Sequence, residues 1–347
     1  MKRIVAALSG GVDSSAVAVM AQEAGYEVIG VNLRMNASDP AAAAVLEEVV
    51  SRLGIELHVI DCKADFLQDV LIPAAKEYEQ GRTPNPCCSC NRNFKFAQLL
   101  RFAEKIRASE VWTGHYAKIT KTPDAPPVLE CAEDSGKDQS YFLYRLTPEM
   151  LNKIHFPLGN MKKEQVRAFA AERNFNFSKR PDSQDVCFGV PGESCGETLR
   201  RAAGLPRHPG KFIFNGKVVG KHDGFHRFTI GQRNGHGVAL GVPAYISKIN
   251  AATGNIELET DKKQLLSASF ILRDINLLTA SLPDRAEIRI RYRSRPALCR
   301  IEQIDADALK IIPDEPLSAV TPGQSGVLYL DSKVLGGGII SEIFPCC

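Results

Sequence analysis

Apolar positions in the first third of the chain fall either in short unbroken runs or in longer stretches at helical spacing. Residues 4–8, 26–31 and 57–61 read as strands, and residues 13–24 and 41–53 read as helices. Strands alternating with helices predict a parallel sheet covered on both faces, with ligands at the carboxyl ends of its strands. The site is therefore expected directly after Leu8. Helical spacing continues at 94–106, 162–173 and 193–203, with a strand-like run at 111–114, while 121–127 reads as a surface loop. Past about Gly204 the texture changes. Short extended runs at 211–214, 227–230, 244–249, 255–259, 286–292, 298–304, 309–312 and 325–330 are punctuated by glycine and proline. The predicted class is α/β. A doubly wound parallel sheet would occupy 1–204, a small central β-rich domain 205–260, and a C-terminal β-barrel 261–347.

Length and composition agree with this division. The chain has 347 residues, 44% of them hydrophobic, which exceeds one ordinary domain and is enough to bury a large core. Charged residues make up 24%, and no run approaches the ~20 apolar residues of a membrane span. No membrane association is expected. The start, MKRIVAALSGG, runs from a short apolar stretch into a glycine turn without a cleavage pattern, so it reads as a first strand and the expected compartment is the cytoplasm. Ten cysteines in a reducing compartment then call for metal binding or transient redox chemistry rather than structural disulfides. A net charge of +3 does not by itself point to a polyanionic partner.

The strand-to-helix junction carries Ser9, Gly10, Gly11, Val12, Asp13, Ser14 and Ser15. Glycines there let backbone approach a ligand closely, and the N–H groups of a helix start form an anion site. The loop has neither the Gly-Lys-Ser/Thr ending of a Walker motif nor Gly-x-Gly-x-x-Gly, which disfavours phosphate-loop NTPases and dinucleotide enzymes. It resembles the pyrophosphatase loop (PP-loop) of ATP enzymes that transfer AMP to an oxygen and release pyrophosphate, as in adenine nucleotide alpha hydrolase-like folds. A plain serine-capped glycine turn is the structural alternative.

A second group of residues is soft and nucleophilic. The proline-stiffened run Arg82-Thr-Pro-Asn-Pro-Cys-Cys-Ser-Cys-Asn91 leads into the helix expected at 94–106 and places Cys87, Cys88 and Cys90 near its start, where a helix dipole would lower thiol pKa values. Far downstream, Asp182-Ser-Gln-Asp-Val-Cys-Phe188 supplies Cys187. Two distant cysteines that meet in space can pass sulfur as a persulfide and finish as a disulfide. Cys62, Cys131, Cys195 and Cys299 are expected to be small apolar fillers, with Cys346 and Cys347 at the carboxyl end. Isolated histidines such as His58 and His155 read as structural.

These segments, together with Thr113-Gly-His-Tyr-Ala117, Lys137-Asp-Gln-Ser-Tyr-Phe-Leu143, Gly220-Lys-His-Asp-Gly224, Phe228-Thr-Ile-Gly-Gln-Arg233 and Leu335-Gly-Gly-Gly-Ile339, resemble the motifs of the tRNA-specific 2-thiouridylases in their order along nearly the whole chain. The resemblance implies ATP-dependent adenylation of the C2 oxygen of a wobble uridine, followed by sulfur transfer. It implies Cys90 as nucleophile and Cys187 as persulfide carrier, ending in a Cys90–Cys187 disulfide. ATP support falls on Leu8, Leu33 and Gly114, the target base on Asn85, Pro86 and Cys87, and tRNA on His115, Lys137, Asp138, Gln139, Arg291, Tyr292 and Gln324. Magnesium would offset the phosphate charge near Asp13. The sulfur would come from a donor protein or from free sulfide.

Cys87 departs from the family pattern, where many members carry aspartate. Cys87, Cys90 and Cys187 then offer three soft ligands, so a [4Fe-4S] cluster with one open iron stands as an alternative to the persulfide relay. A structural zinc is disfavoured because no second Cys-x-x-Cys is present. Arg289, Arg291, Arg293 and Arg295 alternate with other residues, so an extended strand would place all four on one face, either a phosphate stripe or a solvated edge. Similarity favours tRNA. Two rivals remain at this point: another PP-loop enzyme, such as an amidotransferase-linked synthetase or a lysidine-type ligase, and a non-catalytic RNA-binding protein on the same fold.

Overall fold

A computed structural model describes residues 1–36, 39–175 and 186–346. Two compact units divide the chain. One consists of Met1–Phe66, Cys87–Cys187 and Ser332–Val334, and the other of Leu67–Pro86, Phe188–Asp331 and Leu335–Cys347.

In the first unit, β1 (Arg3–Ala7), β2 (Glu27–Arg34), β3 (Glu56–Asp61) and β4 (Glu110–Trp112) are joined by β7 (Ile154–His155) in a five-stranded sheet of order β3-β2-β1-β4-β7. Every pairing is parallel, as the strand–helix alternation predicts. The two-residue period of β1 feeds both faces: Ile4 and Ala6 point into a core with α1 (Val12–Glu23) and α2 (Pro40–Leu53), while Val5 joins Val31, Leu99 and Val111 on the other side. All of these are buried, and each large aliphatic side chain contributes about 1.5–3 kcal/mol of transfer free energy. The chain runs outward from β1 through β2 to β3 and then returns to the opposite side of β1 at β4. That reversal puts a crevice between the loops that follow β1 and β4, the usual ligand position in such sheets.

Residues 121–127 are not a loop. They belong to a hairpin of β5 (Lys118–Thr122) and β6 (Ala125–Glu130), turning at Pro123-Asp124. Pro126 and Pro127 obscured it, because proline normally marks a strand only at edges or irregular positions.

The second unit contains two β structures. One is a four-stranded sheet of order β10-β11-β8-β9, made from β8 (Gly210–Phe214), β9 (Lys217–His222), β10 (Tyr245–Ile249) and β11 (Ile256–Glu259), around Phe212, Phe225, Phe228, Ile246 and Ile256. The run at 227–230 is not a strand: a 3₁₀ turn, Phe225–Arg227, precedes irregular backbone there. The other is antiparallel, with β12 (Leu266–Leu277), β13 (Arg285–Arg289), β14 (Ala297–Asp305), β15 (Ala308–Pro313), β16 (Leu317–Ser318), β17 (Ser325–Leu330) and β18 (Lys333–Pro345). Its order is β16-β12-β15-β14-β13-β17-β18, and a further β12–β18 pairing closes it into a barrel around Phe270, Leu272, Ile288, Leu309 and Ile340.

The arginine stripe does not form. β13 stops at Arg289, and a turn follows in which Arg291 N–H donates to Ser294 Oγ and Ser294 N–H donates to the Arg291 carbonyl. Local hydroxyl capping overrides the alternating pattern. No helix among the described residues is long and apolar enough to cross a membrane.

Candidate active site

The nucleotide loop is built almost entirely from its own residues. Leu8 is buried at the end of β1; its N–H donates to the Val31 carbonyl at 2.8 Å, and its carbonyl accepts from Asn32 Nδ2 at 2.7 Å. Gly10 has φ +77°, a conformation that side chains disfavour, and a Cβ there would stand 2.5 Å from the Ala42 carbonyl oxygen. Ser14 Oγ accepts from Ser9 N–H and donates to the Gly11 carbonyl, each at 3.1 Å, which closes the loop over the start of α1. Gly11 is the N-cap and provides no side-chain cap, so first-turn N–H groups of α1 are left for a ligand. Gly114, after β4, lies so close that a Cβ on it would be 2.8 Å from Ser14 N. Leu33, near the end of β2, is half-buried.

Asp13 is not an open carboxylate. Lys163 Nζ donates to both its oxygens at 2.7 and 2.8 Å, and Tyr116 Oη donates to Oδ1 at 2.8 Å. Lys163 is buried at the first turn of the Lys163–Glu172 helix, and no sequence signal singled it out. As arranged, with both carboxylate oxygens taken by Lys163 and Tyr116, Asp13 does not fit the magnesium-ligand role expected of it.

The thiols lie on a helical segment that begins earlier than its apolar spacing implied. Helix starts at Pro86, whose fixed φ suits a first turn, runs through Pro86–Ser89, widens to a π-helix at Cys90–Lys95, and continues as Phe96–Lys105. The five-residue bond from Phe96 N–H to the Asn91 carbonyl marks the widening. Asn91 Nδ2 donates to the Phe142 carbonyl at 3.0 Å, and buried Cys88 points its Sγ at the Tyr141 carbonyl, so residues 137–143 support this segment from beside it. Asn36 Nδ2 donates to the Cys187 carbonyl at 2.5 Å, tethering that cysteine to the chain just after β2. Residues 182–185 of the Cys187 motif, and Cys347, lie outside the described residues.

Cys87, Cys90 and Cys187 are free thiols, and Cys187 lies close enough to Cys87 and Cys90 to disfavour their ionisation. Burial pushes Cys90 up to about 12 and Cys87 up to about 11, with the other thiols adding to the rise and the Lys95 charge opposing it. Cys187 is exposed, yet the protein packed behind it still raises its pKa, again against Lys95. The helix-start position therefore does not yield low-pKa thiols, because burial disfavours their charged form. Lys95, half-buried and in no ion pair among the described residues, is a functional candidate that the sequence reading missed. No group of three His, Cys, Asp or Glu among the described residues is arranged to hold a metal ion. The three thiols as placed do not form such a group.

The residues expected at tRNA divide by role. His115 Nδ1 shares a 2.7 Å hydrogen bond with Thr113 Oγ1 and packs between Phe96 and Phe156; burial, with help from Lys95, holds its pKa well below the usual value. Asp138 is buried and accepts from Ala132 N–H, Ser140 N–H and Ser140 Oγ. Gln139 exchanges bonds with the backbone of Tyr116, its Oε1 accepting at 3.0 Å. These two side chains shape their loop, while Lys137 is half-exposed beside them. In the second unit, the Arg291 guanidinium donates to the Ile230 and Ala319 carbonyls and to Thr321 Oγ1, and Gln324 Nε2 donates to the Thr83 carbonyl at 2.7 Å. Tyr292 and Asn85 are half-exposed and Pro86 is buried. Among the remaining cysteines, Cys62 and Cys299 are the buried fillers expected, whereas Cys131, Cys195 and Cys346 are only partly buried. His155 packs on Trp112, and His58 pairs with Glu56.

Comparison with known proteins extends this geometry. A family model described as a tRNA methyl transferase HUP domain matches residues 2–190, a tRNA methyl transferase PRC-barrel domain matches 202–258, and an aminomethyltransferase beta-barrel domain matches 267–340. The chain is 40% identical to a tRNA-specific 2-thiouridylase of Syntrophotalea carbinolica, over 98% of this chain and 99% of the relative. It is 38% identical to the proteins of the same name from Carboxydothermus hydrogenoformans and Trichlorobacter lovleyi, with 98% of each chain covered in both cases.

Proposed function

The chain belongs to the tRNA-specific 2-thiouridylase family, and from that premise we propose the route by which it performs ATP-dependent 2-thiolation of tRNA, with the wobble uridine as target. The 9–15 loop orients ATP through its serine hydroxyls and the open N–H groups of α1. The uridine C2 oxygen attacks the α-phosphorus and pyrophosphate leaves, so C2 carries AMP as leaving group. A persulfide on Cys187, loaded by a sulfur-donor protein, attacks C2 and expels AMP. The Cys90 thiolate then attacks the Cys187 sulfur of the S–S link. The thiolated uridine departs, a Cys90–Cys187 disulfide remains, and a two-electron reductant restores both thiols. Asn85 and Cys87 flank the base, which must leave its stack to reach these groups.

One observation carries this reading: Cys90 and Cys187, both free, with Cys187 near enough to help push the Cys90 pKa up, share a compact unit with the 9–15 loop. Burial stores Cys90 as a protonated thiol at neutral pH, and Lys95 is the cation placed to favour its ionisation. The family model's description speaks of methyl transfer, but two free thiols in one compact unit with the 9–15 loop favour sulfur transfer. The test is Cys187→Ser, assayed for pyrophosphate release and for thiolated tRNA by mass spectrometry. Retained pyrophosphate release with thiolation lost is expected. Full thiolation by this variant would remove the relay and favour a PP-loop enzyme of another kind, and absence of pyrophosphate release from the unaltered protein would favour a non-catalytic RNA-binding role.

A further inference from the structure

The 83–86 strap has little means of holding its own shape. Pro84 lacks an N–H group, and Thr83 and Asn85 each precede a proline, so residues 83–85 form neither helix nor ladder before the helix that starts at Pro86, and their carbonyls need partners from elsewhere. The second unit supplies them from the 319–324 turn. Thr83 N–H donates to the Pro322 carbonyl at 2.9 Å, and Gln324 Nε2 donates to the Thr83 carbonyl at 2.7 Å and the Pro84 carbonyl at 3.4 Å. Gly323 packs so closely that a Cβ on it would lie 3.0 Å from the Thr83 backbone.

The turn itself is tightly determined. Ala319 adopts φ +56°, a left-handed conformation that non-glycine residues rarely take. Such a residue persists where its surroundings over-determine it. Here Arg291 donates to the Ala319 carbonyl and Thr321 Oγ1, Thr321 Oγ1 donates back to the Ala319 carbonyl, and two backbone bonds tie Gly323 and Gln324 to Ile340 of β18. Arg291 also reaches the Ile230 carbonyl. The strap is thus held from a rigid turn, and Gln324 is the side chain that spans the gap.

We propose that Gln324 is a positioning residue: it sets the conformation of the 83–86 strap that receives the target base, and contributes to turnover rather than to RNA affinity. This rests on the reading of Asn85 and Pro86 as the base-contacting segment. A glutamine that only touched tRNA would have no reason to donate to two carbonyls of the strap. Arg291 belongs to the same device, as the brace of the turn.

The full chain with Gln324→Leu, which is uncharged and has no N–H donor, and with Gln324→Met, which keeps the chain length but removes the polar group, separates the two roles. Expected are a fall in thiolation kcat of about tenfold or more, corresponding to the loss of about one hydrogen bond, and a tRNA KM that is unchanged. Thr83 amide hydrogen exchange, measured by mass spectrometry without RNA, should speed up by a similar factor in both variants. A raised tRNA KM with unchanged kcat and unchanged Thr83 exchange would overturn the proposal, as would no change in any of the three. If the unaltered chain thiolates nothing, the functional reading fails, while the exchange measurement still decides whether Gln324 holds the strap.

Discussion

The nucleotide loop and the thiol pair belong to the same compact unit but are assembled in opposite ways. The 9–15 loop is a local object: Ser14 closes it onto Ser9 and Gly11, Gly10 supplies the one conformation that needs a glycine, and the parallel strand β1 delivers it to the sheet's reversal point. The thiol pair is a tertiary object. Cys90 arrives on a π-helical segment supported by residues 137–143, and Cys187 comes from far along the chain, held by Asn36. The loop's chemistry follows from its own backbone, so it survives translation from sequence to structure. The thiols' chemistry follows from what surrounds them, and burial reverses the ionisation that their helix-start position implied.

The largest effects should come from striking each object separately. Cys90→Ser should lower thiolation by about a thousandfold or more while ATP-dependent pyrophosphate release continues, because in the proposed route only the sulfur step loses its nucleophile. Gly10→Ala should remove both activities, since the new Cβ meets the Ala42 carbonyl oxygen at 2.5 Å in a backbone region that alanine disfavours. Pyrophosphate release that vanished in Cys90→Ser, or persisted in Gly10→Ala, would show that the two objects are not separable.

What the sequence disclosed follows the same division. Alternating apolar runs sufficed for β1, β2, β3, α1 and α2, because β1 and β2 bury consecutive residues, α2 buries the stripe of Val45, Leu46 and Val49, and α1 is buried on most of its sides, while Ser9–Gly11 with Asp13 and Ser14 marked the loop after Leu8. The β5–β6 hairpin was hidden by its prolines, and the supposed arginine stripe was broken by Ser294, whose hydroxyl captures the Arg291 N–H. Asp13 looked available for a metal because nothing in its motif announces Lys163, a partner from a different helix. Lys95 was equally invisible. In an α-helix, five residues turn about 500°, which leaves Lys95 about 140° away from the Cys90 face. Only the π-helical widening, which bonds residue i to i+5, carries Lys95 round towards the thiols, and spacing alone does not reveal it.

Lys163 tests whether the loop is as self-contained as its hydrogen bonds imply. Lys163→Met leaves the Asp13 carboxylate with Tyr116 alone, beside the N–H groups that would bind the triphosphate. An uncompensated negative charge there should raise the ATP KM and slow pyrophosphate release together by about tenfold to a hundredfold, with the thermal midpoint also lowered. Lys163→Arg should restore part of the loss. Unchanged ATP kinetics in Lys163→Met would mean that the loop needs nothing beyond its own seven residues.

The smallest and most specific prediction concerns Lys95 and the thiol pair. Burial is the largest influence on Cys187 and raises its pKa, while the Lys95 charge acts in the opposite direction by favouring the thiolate. Removing that charge therefore moves the pKa further up. Alkylation proceeds through the thiolate, so below the pKa its rate climbs about tenfold for each unit of pH, and a pKa higher by about one unit makes it about tenfold slower at neutral pH. Iodoacetamide labelling of the exposed Cys187, followed by peptide mass spectrometry across pH, should place the Lys95→Met midpoint above that of the unaltered chain and the Lys95→Arg midpoint close to it. Cys90 should move in the same direction, since Lys95 opposes its rise as well, but its burial will keep labelling slow throughout. A Cys187 midpoint that stayed in place in Lys95→Met would show that the lysine, although near both thiols, is too well solvated to act on them. The thiol pair would then depend on burial alone.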